Sequence, residues 1–428
     1  MEASTRDATP NDRRFRVGLL AITLVGAAWR LLMLISKWNR PLAYSDAWYY
    51  SIQAINNAHG KWFKEAGGPL AGWGVLPGAE HPPLTSVVIT PASLLSHPIF
   101  WQRATITLLG IALVPLVAVV ARRIGGPLVG LLAAAIAAVY PNIWMSDSVV
   151  MSETITKLAV LLVLLAAVRH IDRFDLRSAA ALGAAVGLAG YARSELIFYA
   201  PLLALVGVRS YPWKDWLRRA AVLVGTAAVV VLPWVAYNTS RFDTLVLMST
   251  NEGNTWLGAN CPATYGGPSM GGWIIGCLED GPDRPGENTA QRSVRRRHEA
   301  LSYVKAHASR VPLVVVARVL RCADLFRVGE NVRADVGEEQ PRWAVWAGML
   351  SWWVLAPFAA LGLWRMRRRI RFVLLVPVLG VAFVTVVFYG SHRLRAPMEP
   401  VVVIAAASAI AGLPFRRGAG REVESSRT

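Results

Sequence analysis

Predominantly apolar runs of about the length of a membrane crossing recur along the chain. The runs lie at about 17–35, 103–121, 127–145, 154–168, 178–193, 195–208, 219–237, 342–364, 372–390 and 398–414. A hydrocarbon core needs about 20 apolar residues per helix, fewer where the bilayer thins. Backbone amides in that core must be satisfied within the segment, so such runs form helices. The pattern predicts an all-α polytopic membrane protein with about ten transmembrane helices. One stretch, 84–100, is apolar but interrupted by Pro91 and closed by His97 and Pro98. It reads as a juxtamembrane or re-entrant helix, because a crossing there would reverse every later loop.

The expected organisation follows. A short tail, 1–16, precedes an N-terminal transmembrane module at 17–237, whose first outer loop is 36–102. A second long loop occupies 238–341, the last helices lie within 342–414, and a tail closes the chain at 415–428. The second loop turns repeatedly in its first half, at Asn251 to Asn254, Gly258 to Asn260, Gly266 to Pro268 and Gly271–Gly272. Its second half has helical spacing at about 289–306. Residues 311–326 set apolar Leu313, Val316 and Leu320 among Arg318 and Arg321, with Arg327 following, which suits a helix lying in the interface.

Charge then sets direction. The chain carries 45 Lys and Arg against 27 Asp and Glu, a formal charge of +18, yet only 17% of its 428 residues are charged. A soluble domain carries about a quarter. The basic residues collect in alternate short turns: Arg122–Arg123, 169–177, 209–219, 365–371 and 416–421. Under the positive-inside rule these turns are cytoplasmic, so both termini are cytoplasmic and the two long loops lie outside. The excess charge thus belongs to the membrane surface, and no basic groove interleaved with aromatics supports a nucleic-acid partner. The first apolar run is too long for a cleaved signal peptide and ends without a small-residue cleavage pattern. Cys261 and Cys277 fall in the second outer loop. They form either a disulfide or two free thiols, which spacing alone does not decide.

Ionisable side chains near the outer ends of apolar runs are functional candidates. Asp46 follows the first run, within Ser45, Asp46, Ala47, Trp48, Tyr49 and Tyr50; it or Ser45 also suits the N-cap of a short helix over 48–57. Glu80 and His81 precede two prolines that stiffen the turn. Asp147 and Glu153 border a short outer turn, with Lys157 one turn further on. Lys157 is either a snorkelling residue or a phosphate partner. Arg193 and Glu195 suit an ion pair. Arg393 and Arg395 sit with Glu399 at an outer face, against the usual bias for basic residues, and so call for an anionic partner.

A carboxylate and an arginine at one outer face suit transfer from a lipid-phosphate sugar. The carboxylate takes the proton of an acceptor hydroxyl, and the cation stabilises the departing phosphate. A transporter or flippase of a lipid-linked glycan would instead place polar residues at the midplane of repeated halves, and no repeat is visible. A non-catalytic cell-envelope assembly protein would need no acid–arginine pairing.

At these residues the chain resembles the membrane glycosyltransferases of the GT-C class. It is most similar to bacterial relatives of the dolichyl-phosphate-mannose protein mannosyltransferases and to the aminoarabinose transferases. The matching motifs run in order: Ser45 to Tyr50 with His59 to Phe63, Glu80 to Leu84, Tyr140–Pro141 through Asp147, Ser152 to Thr154, Ala192 to Glu195, Ser249 to Asn254 with Gly258 to Asn260, and Arg393 to Pro400. The resemblance implies inverting transfer from a polyprenyl-phosphate sugar at the outer face of the plasma membrane, onto a glycan, lipid or protein. It implies Asp46 as base, Glu80 and His81 lining the cleft, and Asp147 and Glu153 as second-loop acids. Arg393 or Arg395 would hold the lipid phosphate. His81 stands where a stronger base is usual, and Ser194 where a proline is common, which leaves the Arg193 motif less secure. Some GT-C enzymes use a divalent cation and others do not; scattered carboxylates assign none here.

Overall fold

A computed structural model describes residues 10–43, 45–66, 76–242, 244–279, 284 and 286–413. Residues 1–9 of the expected N-terminal tail and the whole expected tail 415–428 lie outside it. The elements used below are α1 (Pro10–Ile35), α2 (Asp46–Ala58), α3 (Leu84–Ile89), α4 (Pro98–Val139), α5 (Glu153–Arg173), α6 (Leu176–Gly190), α7 (Trp213–Thr239), α8 (Glu252–Ala259), α9 (Thr289–Ala306), α10 (Val311–Cys322), α11 (Val328–Gly337), α12 (Arg342–Arg365), α13 (Arg368–Val387) and α14 (Glu399–Ala411). Among the described residues the only β-pairing is an isolated bridge between Lys64 and Pro77.

The protein is a multi-pass membrane protein. Six of its described helices are long and apolar enough to cross a bilayer: α1 over Asp12–Ile35, then α4, α5, α7, α12 and α13. Shorter apolar helices occupy Leu176–Gly190, Ser194–Ala204 and Glu399–Ala411. The expected span 103–121 and most of 127–145 fall within the single 42-residue α4, which ends at Val139. Straight, it would measure about 63 Å, twice a hydrocarbon core. It is not straight. Gly126 has φ 86°, open to glycine at no steric cost, and Pro127 follows. A Cβ on Gly130 would lie 3.0 Å from the carbonyl oxygen of Ala118, so the chain doubles back there as a helical hairpin.

Small residues let the helices approach closely, as in membrane packing generally. A Cβ on Gly183 of α6 would fall 2.2 Å from the Leu223 carbonyl of α7, and one on Gly362 of α12 would fall 1.9 Å from that of Ala405 in α14. α14 is enclosed, with every residue from Glu399 to Ala407 buried. α1 instead exposes Val17, Leu20 and Leu24 on its outer face, where lipid takes the place of protein.

The stretch 84–100 forms no long helix. It breaks into the six-residue α3 and a 3₁₀ turn at Pro91–Leu94, in keeping with the juxtamembrane expectation. Cys261 and Cys277 form a disulfide. Helix α10 exposes Leu313, Val316 and Val319 while burying Arg318 and Arg321. Its outward face is therefore apolar, and its arginines turn inward. Arg318 donates to the carbonyls of Val386 and Val387 at 2.9 and 3.1 Å, capping the C-terminal end of α13, where cations are favoured.

Candidate functional site

Three segments far apart in sequence meet at one guanidinium. The first is α2. Ser45 caps it, its hydroxyl accepting from the Ala47 amide at 3.3 Å, so Asp46 is fixed in the first turn. The second is the start of α5, which begins at Glu153. The third is Glu338, just past the end of α11. Arg393 lies in the 3₁₀ turn His392–Arg395, whose N-cap is Ser391. Its Nε donates to Glu153 Oε1 at 2.9 Å, its Nη2 to Asp46 Oδ2 at 3.0 Å and its Nη1 to Glu338 Oε1. A guanidinium has five N–H donors. One remains on each terminal nitrogen for another anion.

The Glu80–His81 turn is tied at both sides. The Leu84 amide donates to the Tyr191 carbonyl at 2.9 Å, and the Thr250 amide to the Ala79 carbonyl at 2.7 Å. The His81 ring packs against those of Tyr49 and Tyr50, with centroids 4.8 and 5.1 Å away, and its Nε2 lies 3.5 Å from Asp46 Oδ1. Glu80 pairs with Arg292 of α9 at 3.4 Å, so the two long loops meet here. Arg193 pairs with Glu195 at 2.7 Å. Asp46, Glu80, His81, Arg193 and Arg393 all line one cavity of about 2120 Å³.

Electrostatics distinguish the carboxyls. Burial alone would raise Asp46, but His81 and Arg393 outweigh it and hold the carboxyl well below the usual carboxylate range. Its side chain stays 38% exposed, toward the cavity it lines. Burial pushes Glu338 the other way, up to about 7, with Asp46 and Glu153 adding to the rise against the pull of Arg393. Glu338 and Arg393 also line a second, small cavity of about 50 Å³, together with Glu153.

Two expected site residues are held elsewhere. Asp147 is buried beside α1, where it accepts from Arg30 Nε at 2.7 Å and from Thr154 Oγ1 at 2.7 Å. It lines neither cavity. Arg395 is fully buried between Asp324 at 2.7 Å and Glu399 at 3.1 Å, with its guanidinium over the Trp352 ring. Lys157 likewise spends its ammonium on the Asn142 and Ile143 carbonyls and on Ser146 Oγ. Removing one partner of a buried ion pair strands the other charge and costs about 3–5 kcal/mol. Asp147→Asn should therefore lower the melting temperature, and Arg30→Met paired with it should cost less than the two changes added. Melting curves of the two single variants and the double variant check this, and an unchanged melting temperature in Asp147→Asn would count against it.

Glu338, Arg30 and Arg292 escaped the sequence reading. Glu338 is followed by Glu339, whose carboxylate accepts from Arg103 at 2.5 Å and from the Ala43 amide at 2.9 Å. An acidic pair at the end of a long loop is a weak signal for a site. Among the described residues no group of three or more His, Cys, Asp or Glu is placed to hold a metal ion. Asp46, Glu153 and Glu338 do converge, but Arg393 fills the space between them, so they do not fit a divalent ion.

No protein-family model matches the sequence, and no curated protein matches it. The fold does find solved structures. The archaeal oligosaccharyltransferase AglB from Archaeoglobus fulgidus, in complex with an inhibitory peptide and a dolichol-phosphate, aligns with a TM-score of 0.53 at 15% identity, over 93% of this chain and 50% of that one. The fold is that of the GT-C membrane glycosyltransferases. The Archaeoglobus fulgidus oligosaccharyltransferase in complex with Zn and sulfate gives 0.54 at 14% identity, over 92% and 48%. ArnT from Cupriavidus metallidurans, bound to undecaprenyl phosphate, aligns over 92% of this chain and 77% of its own at 15% identity and a TM-score of 0.45. This chain spans about half the length of the oligosaccharyltransferase it matches. The GT-C expectation drawn from the ordered motifs therefore holds at the level of fold.

Proposed function

We propose that the protein transfers a sugar from a polyprenyl-phosphate donor to an acceptor hydroxyl at the outer face of the plasma membrane, with inversion. One observation carries this reading. A single cavity joins an ionised carboxylate and a guanidinium with free donors at one end to an apolar groove at the other. The groove runs between α7 and α13, lined by Val224, Ala228, Leu232, Phe383 and Val387. An isoprenoid chain suits those walls, and its phosphate would then reach Arg393. AglB, with a similar fold, was solved with a dolichol-phosphate.

The chemistry follows from the placement. The acceptor oxygen attacks the anomeric carbon from the face opposite the phosphate. Its proton passes to Asp46. The bond from the anomeric carbon to the phosphate oxygen breaks, and its electron pair stays on the phosphate, where Arg393 stabilises the growing charge. A single displacement inverts the anomeric centre. Glu153 and Glu338 hold Arg393, while Glu80, His81 and Arg193 shape the cleft around the reacting groups. In this reading Asp147 and Arg395 act by fixing the helices that carry those groups.

The direct test is reconstitution in liposomes with a labelled polyprenyl-phosphate sugar and a membrane extract as acceptor source. Labelled product that depends on the protein supports transfer. Movement of the labelled lipid between leaflets without product would favour a flippase.

The same reading takes the chain to cross ten times, with both termini inside and the cavity outside. The Cys261–Cys277 disulfide supports that side, because such bonds persist in oxidising compartments. A cysteine introduced at Gly337 should label with an impermeant maleimide from outside, and one at Arg368 only after the membrane is opened. The reverse pattern would overturn the orientation.

A further inference from the structure

The outer part of the large cavity contains an aromatic surface that the transfer chemistry does not use. Trp273 is 38% exposed and lines the cavity. Its ring is fixed from beneath. A Cβ on Gly258 would fall 2.2 Å from the indole Nε1, 2.5 Å from Cε2 and 2.7 Å from Cδ1. Three nearly equal distances mean that the point lies over the face of the five-membered ring, not off its edge. The indole therefore packs against α8 at its glycine, and the part of it left exposed faces the cavity it lines. The ring N–H donates to the Asn254 carbonyl at 3.1 Å, and the Ile274 amide donates to the Gly258 carbonyl at 3.0 Å. The disulfide from Cys261 to Cys277 closes the segment around these contacts.

An aromatic ring held this rigidly at a cavity wall is a pre-formed contact surface for a ligand. The neighbours indicate which kind. Glu252 and Arg297 stand at the rim, 46% and 37% exposed, and pair at 3.0 Å. Glu252 is steadied further by the Trp256 ring N–H at 3.2 Å. An exposed aromatic ring that shares one cavity with a fixed carboxylate and a guanidinium matches a pyranose or furanose ring. Such a ring presents C–H groups on one face and hydroxyls around its edge. A lipid tail would offer no hydrogen bond to Glu252 or Arg297, which line the same cavity. Trp273, Glu252 and Arg297 all come from the second long loop, whereas the walls of the apolar groove come from α7 and α13.

We infer that Trp273 is the stacking platform for a sugar ring of the acceptor, so that the acceptor is a glycan. The inference rests on the transferase reading and narrows it to an acceptor class. It is tested with the purified full-length chain in detergent on an array of immobilised oligosaccharides, with a peptide array alongside, and with fluorescent polyprenyl phosphate as an independent ligand. Wild type should retain a subset of the saccharides. Trp273→Ala should lower that signal by about tenfold, the upper range for an aromatic contact, with polyprenyl-phosphate binding unchanged. Trp273→Phe should restore part of it. Arg297→Gln, at the exposed rim, should lower it without disturbing the packing on Gly258. Absence of any saccharide signal, equal signals from wild type and Trp273→Ala, or retention of peptides instead would overturn the inference. Failure of wild type to bind polyprenyl phosphate would instead sink the transferase reading.

Discussion

Asp46→Asn should lower sugar transfer in reconstituted liposomes by about 10²- to 10⁴-fold, the contribution expected of a positioned general base. The amide keeps the shape of the carboxylate and can still meet Arg393 and His81, so folding and lipid binding should persist. The two losses separate cleanly. A drop in turnover with unchanged affinity for polyprenyl phosphate identifies a group acting in the chemical step. Transfer at the wild-type rate would remove Asp46 as base. The low proton affinity of Asp46 does not argue against the role. It arises because His81 and Arg393 both favour the ionised form in the free enzyme. Once a phosphate engages the free donors of Arg393, some of that stabilisation is withdrawn from Asp46. The base then gains proton affinity at the moment an acceptor hydroxyl must be deprotonated.

Much of the framework could be read from the chain because hydrophobic length and charge asymmetry act locally. The apolar runs became apolar helices, 84–100 broke where Pro91 predicted, and Ser45 capped the helix that carries Asp46. The hairpin inside α4 was legible as two runs, since Gly126 and Pro127 mark the break between them. What could not be read is which charged residues find each other. Asp147 and Glu153 look alike in sequence, six positions apart at one turn. Asp147 meets Arg30 within the helix packing, while Glu153 faces Arg393. The partner of each lies more than a hundred residues away, and nothing local announces it. Glu338 is the same problem reversed: its neighbourhood resembles an ordinary loop end until the fold brings Arg393 to it.

Arg393 and Arg395 show the limit most sharply, and the second large prediction turns on them. The stretch 393–395 reads Arg-Leu-Arg and offers two equal candidates for a phosphate. A 3₁₀ turn has three residues per turn, so positions two apart point about 120° from each other. Arg393 faces the cavity, and Arg395 faces the buried carboxylates of Asp324 and Glu399. Arg393→Ala should reduce transfer by about 10²- to 10³-fold and weaken polyprenyl-phosphate binding more than acceptor binding. It also leaves three carboxylates without their shared cation, so the melting temperature should fall. Arg393→Lys restores the charge but not the fork that reaches three acceptors at once, so recovery should be partial. Arg395→Ala should destabilise the fold by about 3–5 kcal/mol through its stranded partners. The fraction that remains folded should bind the lipid phosphate normally. Titration of both folded variants with fluorescent polyprenyl phosphate decides between them. Equal weakening in the two would mean that the phosphate is held by the charge of the whole turn. Selective loss in Arg393→Ala would assign it to one guanidinium, the one already shared with Asp46.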